Sequence, residues 1–174
     1  VTELAPIEFV IPGTPRPKSN QKVIAKRPDG SWKVMNDERT RVAENDFAAQ
    51  AAVHAPRTPW ESPVRLEIEY VFQIPWSWPD WQKVAALRGE YRHVTRADCE
   101  NLTKLAKDAM QGLFFKNDAQ VCEEHAQKSY GMDEETRVRL IPLPQAKKPI
   151  GAKNTKDLSE IEARAIYEAR RHVR

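Results

Sequence analysis

The stretch from Asp98 to Val121 constrains this chain more than any other. Leu102, Leu105, Ala106, Ala109 and Met110 recur at helical spacing, and Gly112 supplies a stop. The segments on either side read as extended: His93-Val94-Thr95-Arg96 leads in, and Val121 to Tyr130 follows. A one-sided helix of this kind needs a sheet or other helices to cover its stripe. Its polar residues are as distinctive. Asp98, Glu100, Asp108 and Asp118 bring carboxylates, Lys104 an ammonium, and Asn101, Asn117 and Gln120 amides. Hard cations such as Mg²⁺ are held by one or two carboxylates and keep waters that phosphate can replace. The cluster therefore points to a metal-dependent enzyme acting on a polyanion.

The rest of the chain fits an α+β protein. Its 174 residues suffice for one domain with a real core. Ile7 to Ile11 is a short strand stopped by Pro12-Gly13, and Thr14 to Lys22 is a proline-stiffened basic loop. Asp29-Gly30 marks a hairpin between Val23-Ile24-Ala25 and Trp32-Lys33-Val34. Asn36 or Asp37 caps a helix from Glu38 to His54, with Val42, Ala43, Phe47, Ala49, Ala51 and Val53 on its apolar side. Val64 to Phe72 alternates as a half-buried strand with Leu66, Ile68 and Tyr70 on one face. Asp80 to Arg88 is a short helix, and Arg137 to Ile141 a last strand. Beyond the prolines at 142, 144 and 149, a charged helix starts at Asp157 or Ser159, so residues 1–144 are expected to form the main domain and 145–174 a basic linker and helix.

Charge is uneven. Arg16 to Arg41 carries eight Lys and Arg against three acids, and Gln145 to Arg174 eight against four, although the net charge is only +3. Basic flanks around an acidic middle suit a protein that grips phosphates. The basic loop and hairpin, with Arg16, Lys18, Lys22, Lys26 and Arg27, are the candidates for DNA contact. No apolar run is long enough to span a membrane. Val1-Thr2-Glu3-Leu4 lacks a signal-peptide pattern, and two cysteines make no disulfide framework, so a cytoplasmic setting is expected.

In an extended segment Asp98 and Glu100 would share one face. Alternatively, Asp98 caps the helix and Glu100 sits in its first turn. A strand–helix–turn unit would return Asp118 beside them. Glu100, Lys104 and Asp108 fall on one helical face, as a salt-bridge ladder or as a site with Lys104 beside a phosphate. His93, Cys99, Cys122 and His125 make a poor zinc set, because only Cys122 and His125 have motif spacing.

Asp98-x-Glu-Asn-Leu-x-Lys, Asp108-Ala, Asn117-Asp-x-Gln-Val and Lys128-x-Tyr-Gly resemble the RusA family of Holliday junction resolvases, in the family's order and spacing. The resemblance implies a RusA-like fold with a small mixed β-sheet packed by helices, to which this chain adds a C-terminal helix. It also implies a Mg²⁺- or Mn²⁺-dependent endodeoxyribonuclease, homodimeric, that cuts four-way DNA junctions by paired nicks. Carried over, Asp98, Glu100 and Asp118 bind metal and Lys104 is the catalytic lysine, with Asn101, Asp108, Asn117, Gln120 and Lys128 in support. Glu100 and Asn117 stand where the family usually has Asp. Those departures keep open the alternative of a non-catalytic junction-binding protein with the same fold.

Overall fold

A computed structural model describes residues 5–19, 22–95 and 97–145. The expected C-terminal helix lies outside the described residues. Among the described residues the fold is a single α+β domain: a mixed four-stranded sheet, a separate hairpin and three α-helices. In chain order these are β1 (Ile7–Pro12), β2 (Lys22–Lys26), β3 (Trp32–Asn36), α1 (Glu38–Ala51), β4 (Val64–Gln73), α2 (Asp80–Leu87), α3 (Cys99–Met110), β5 (Val121–Gly131) and β6 (Glu135–Pro142). Short 3₁₀ turns follow α1 at Ala52–His54 and precede β5 at Asp118–Gln120. Among the described residues, no helix is long and apolar enough to cross a membrane.

The main sheet has the order β1-β6-β4-β5, and β5 runs parallel to β4 while the other pairs are antiparallel. Parallel neighbours need a crossover connection, and here the crossover contains α2 and α3. The alternation read in β4 is real: Val64, Leu66, Ile68 and Tyr70 are buried. Arg65, Glu67 and Glu69 lie on the opposite face, where they pair with Glu123, Arg139 and Arg137. These exposed ion pairs are worth little individually, so the stability resides on the other face.

That face is covered by α1 and α3. Leu102, Leu105, Ala106, Ala109 and Met110 of α3 join Phe9, Phe47, Leu66, Ile68, Phe114, Phe115, Val138 and Leu140 in one core. Phe9 stacks between His54 and Phe114, with ring centroids 5.1 and 5.2 Å away. Truncating a core side chain of this kind costs about 2–5 kcal/mol. Helix α1 is shorter than expected, ending at Ala51 before the 3₁₀ turn. It buries Thr40, Ala43, Phe47 and Ala51, whereas Val42 and Val53 are exposed. Asp37 is its cap, accepting from the Thr40 amide at 2.7 Å. Geometry requires glycine at positions 112 and 131. Gly112 ends α3 with a φ of 82°, and a Cβ on Gly131 would lie 2.5 Å from Val71 Cγ1.

A second, aromatic cluster fills the far end of the sheet. His93 is buried, stacks on Phe72 at 4.1 Å and lies 4.8 Å from the Tyr130 ring. Its Nδ1 has no hydrogen-bond partner among the described residues. Burial, and then the nearby Lys128 charge, lower its pKa. An unfolded histidine takes up a proton near pH 6.5. The folded state resists doing so, so this contribution is complete above about pH 6.5 and is lost as pH falls toward the depressed folded value. Thermal melts between about pH 7.5 and 5 should therefore show a steeper acid loss for the wild type than for His93→Phe, by at most about 1.4 kcal/mol per pH unit. Parallel curves would remove His93 as the cause.

Candidate functional site

The N-terminus of α3 is an exposed acidic corner. Asp98 is the N-cap: its carboxylate accepts from the Asn101 amide at 2.8 Å and from Asn101 Nδ2 at 3.0 Å. Glu100 sits in the first turn and pairs with Lys104 at 2.5 Å. The extended, same-face arrangement of Asp98 and Glu100 is thus replaced by capping geometry. The reason is that Asp98 satisfies an amide at the helix start that would otherwise lack a partner. Asp98, Glu100 and Lys104 are all exposed, so a large ligand can reach them.

Support for this corner comes from β5. Lys128 Nζ donates to the Thr95 and Ala97 carbonyls at 3.0 and 2.9 Å. Ala97 has a φ of 62°, a left-handed conformation unfavourable for a residue with a Cβ. Lys128 thereby holds the strained step that delivers Asp98. Tyr130 packs against Trp78, Tyr91 and His93, and Gly131 gives room to Val71. The Lys128-x-Tyr-Gly text is therefore a supporting framework. Tyr70 adds a brace from β4, donating to Thr103 Oγ1 at 3.2 Å.

Asp118 is elsewhere. Lys107, near the end of α3, pairs with Glu124 at 2.7 Å, while Lys128 reaches the start of the helix. So β5 runs back along α3, and its beginning lies beside the helix's C-terminal end. Asp98 to Met110 spans about 18 Å at 1.5 Å per residue. The chain re-enters the sheet parallel to β4 only after running the length of α3, so the Asp118 turn lies toward the helix's C-terminal end. Among the described residues, no group of three or more His, Cys, Asp and Glu side chains is gathered for a metal. Asp98 and Glu100 supply two carboxylates, but Asp118 does not join them in the chain. Cys99 and Cys122 likewise stand toward opposite ends of α3, so the zinc set does not assemble either.

The turn before β5 explains its motif. The Asn117 side chain accepts from the Ala119 amide at 2.8 Å, and Gln120 Oε1 accepts from the Asn117 amide at 2.9 Å. Gln120 Nε2 donates to the Trp60 and Ser62 carbonyls, both at 2.9 Å. An Asp oxygen at 117 would cap the turn equally well, so Asn117 is a neutral departure for this geometry. The exposed Asp118 carboxylate makes no hydrogen bond or ion pair with a described residue.

The basic loop lies against α3, as its sequence position does not reveal. The Lys18 amide donates to the Asn101 carbonyl at 2.9 Å, and the Ser19 amide to Thr40 Oγ1 at 3.1 Å. Lys18 Nζ forms an ion pair with Asp108 and lies 3.5 Å from Glu44. Burial lowers the Lys18 pKa, but the Asp108 bond and the two acidic charges outweigh it and raise it overall. Lys18 is thus a tether between α1 and α3. Asp108 is its partner and is drawn away from the Glu100–Lys104 pair. Arg16 remains exposed beside Asp46, at 3.7 Å.

Removing the Lys128 ammonium while keeping its stem, as in Lys128→Met, should destabilise the fold by about 1–3 kcal/mol, since two carbonyls lose a charged donor. Chemical denaturation measures this, and Lys128→Arg should recover part of the loss. Full stability in Lys128→Met would show that the clamp is dispensable.

Two comparisons bear on this arrangement. The chain is 28% identical over 142 residues to an uncharacterised protein, YqaN, of Bacillus subtilis (strain 168), covering 78% of this chain and 94% of that protein. The family model described as Endodeoxyribonuclease RusA matches residues 12–141, which include the α3 corner, its Lys128 support and the turn bearing Asp118. By that match the chain belongs to the RusA endodeoxyribonuclease family.

Proposed function

We propose that this protein is a metal-dependent, structure-specific endodeoxyribonuclease that resolves four-way DNA junctions by paired nicks. The observation that carries the reading is the exposed Asp98–Glu100–Lys104 corner, flanked by a basic loop, within a chain of this family. Asp98 and Glu100 are the carboxylates for Mg²⁺ or Mn²⁺, a number consistent with the usual protein share of a magnesium site. When bound, such an ion polarises the phosphate and makes a bound water more acidic. Asn101 orients Asp98 through its amide and side chain. Lys104, tethered by Glu100, offers its ammonium to the charge that grows on the phosphoryl oxygens. Glu100 carries its carboxylate one methylene farther out than Asp, which suits the reach to Lys104.

In this proposal a second copy adds a third acid, Asp118. One chain keeps Asp118 at the opposite end of α3, with its carboxylate free of partners among the described residues. A two-fold homodimer presents two identical sites and matches the near two-fold symmetry of a four-way junction. In such a dimer, Asp118 of one copy completes the Asp98–Glu100 pair of the other. The alternative is a junction binder of the same fold that does not cut.

A Mg²⁺-dependent cleavage assay on a synthetic four-way junction tests both readings. Asp98→Asn and Asp118→Asn should each abolish nicking while junction binding survives. Mixed dimers of the two variants should regain one intact site each, giving about a quarter of wild-type sites if subunits exchange statistically. Failure of the mixture to cut would argue against a shared site, and failure of the wild type to cut would favour the binder.

DNA contact is assigned to Arg16, Lys22, Lys26 and Arg27. Replacing Arg16, Lys26 and Arg27 with alanine should weaken junction binding and flatten its salt dependence by about 0.9 in the log–log slope per lost phosphate contact. An unchanged slope would exclude them as phosphate ligands.

A further inference from the structure

The β2–β3 hairpin is a ribbon with no place in the main sheet. Its register pairs Ile24 with Val34 and Lys26 with Trp32, so these four side chains share one face. That face is apolar and open: Ile24, Val34 and Trp32 are 63%, 60% and 67% exposed. Lys26 Nζ stands 6.0 Å from the centre of the Trp32 ring. Between Lys22 and Asn36 the sequence has four cations, Lys22, Lys26, Arg27 and Lys33, against the single acid Asp29. Asp29 accepts from the Ser31 amide and hydroxyl at 2.9 and 2.7 Å, so its carboxylate is engaged in the turn.

A two-stranded ribbon is marginal alone in water, and an uncovered tryptophan, isoleucine and valine add nothing to it. Some partner should cover this face. Its chemistry combines an apolar, aromatic surface with surrounding positive charge. A second copy of the same ribbon would bring like charges together. Nucleic acid offers the complement: phosphates for the cations and flat, apolar base faces for Trp32, Ile24 and Val34. In a continuous duplex stacking covers the base faces, but at a branch point the stack is interrupted and they are accessible.

We propose that the Lys22–Asn36 ribbon is a base-contacting wedge that enters the branch point of a four-way junction. Trp32 stacks on an exposed base pair, Ile24 and Val34 cover neighbouring base faces, and Lys26 and Arg27 hold the adjacent phosphates. The proposal rests on the junction-binding reading above and adds the surface that separates a junction from ordinary duplex.

The test uses the full-length chain, a four-way junction with 2-aminopurine at the branch point, and a linear duplex of matching sequence. Trp32→Ala should weaken junction binding about 5- to 150-fold, as expected for a lost base-stacking contact. It should leave the salt slope and duplex affinity unchanged and abolish the fluorescence change of 2-aminopurine. Trp32→Phe should restore most of the affinity, and circular dichroism should show both variants folded. Equal junction affinity and fluorescence response in wild type and Trp32→Ala would overturn the wedge while leaving the nuclease reading intact. So would a change of oligomeric state in Trp32→Ala, measured by sedimentation, because the face would then belong to a protein interface. A wild type that fails to bind the junction at all would overturn the underlying reading and the wedge with it.

Discussion

Burial of the α3 stripe against the sheet organises the molecule. Leu102, Leu105, Ala106 and Met110 become almost inaccessible, and each such side chain contributes roughly 1.5–3 kcal/mol for the larger aliphatic groups. Once that face is committed, the other side of the helix must point outward. Glu100 and Lys104 fall on the outward side, and Asp98 caps its start. The same packing sets β5 parallel to β4 and returns the chain along the helix. The exposed acidic corner and the distant position of Asp118 therefore have one cause.

The corner depends on interactions made from β5. A left-handed alanine before a helix cap is an unfavourable step, and Lys128 holds it with two hydrogen bonds. The lysine's charge disfavours protonation of His93, which is buried between Phe72 and Tyr130. Support of the acidic corner and packing of the aromatic cluster are thus linked through one ammonium group. At the other end of α3, Gln120 links the Asp118 turn to the carbonyls just before β4. The Ala97 step and the Asp118 turn are both held by side chains that a reading for catalytic groups alone would pass over.

Positive charge near α3 has two kinds of work. Lys18 joins α1 to α3 through Glu44 and Asp108, and its amide bonds to Asn101. Arg16, two residues earlier, stays exposed. The proline-stiffened loop thus anchors one cation and presents another. The hairpin beyond it sets Lys26 beside the Trp32 ring.

Local patterns made most elements legible. Alternation identified β4, helical spacing identified α3, and Asp29-Gly30 identified the hairpin, because each depends on nearby residues and on the period of a strand or a helix. The spacing of Asp98, Lys104 and Gln120 also located the family. Those same patterns could not decide which strands pair, since pairing depends on contacts far apart in sequence. They left β4 and β5 without a direction, and so could not say toward which end of α3 the Asp118 turn lies. Nor could they separate Lys18 from its exposed neighbours, because an ion pair 90 residues away is invisible to local charge. Local patterns thus reach the α+β elements, the family and the chemical character of the α3 corner. The position of the Asp118 turn toward the far end of that helix depends on the packed fold, because the direction in which β5 enters the sheet is set by long-range burial.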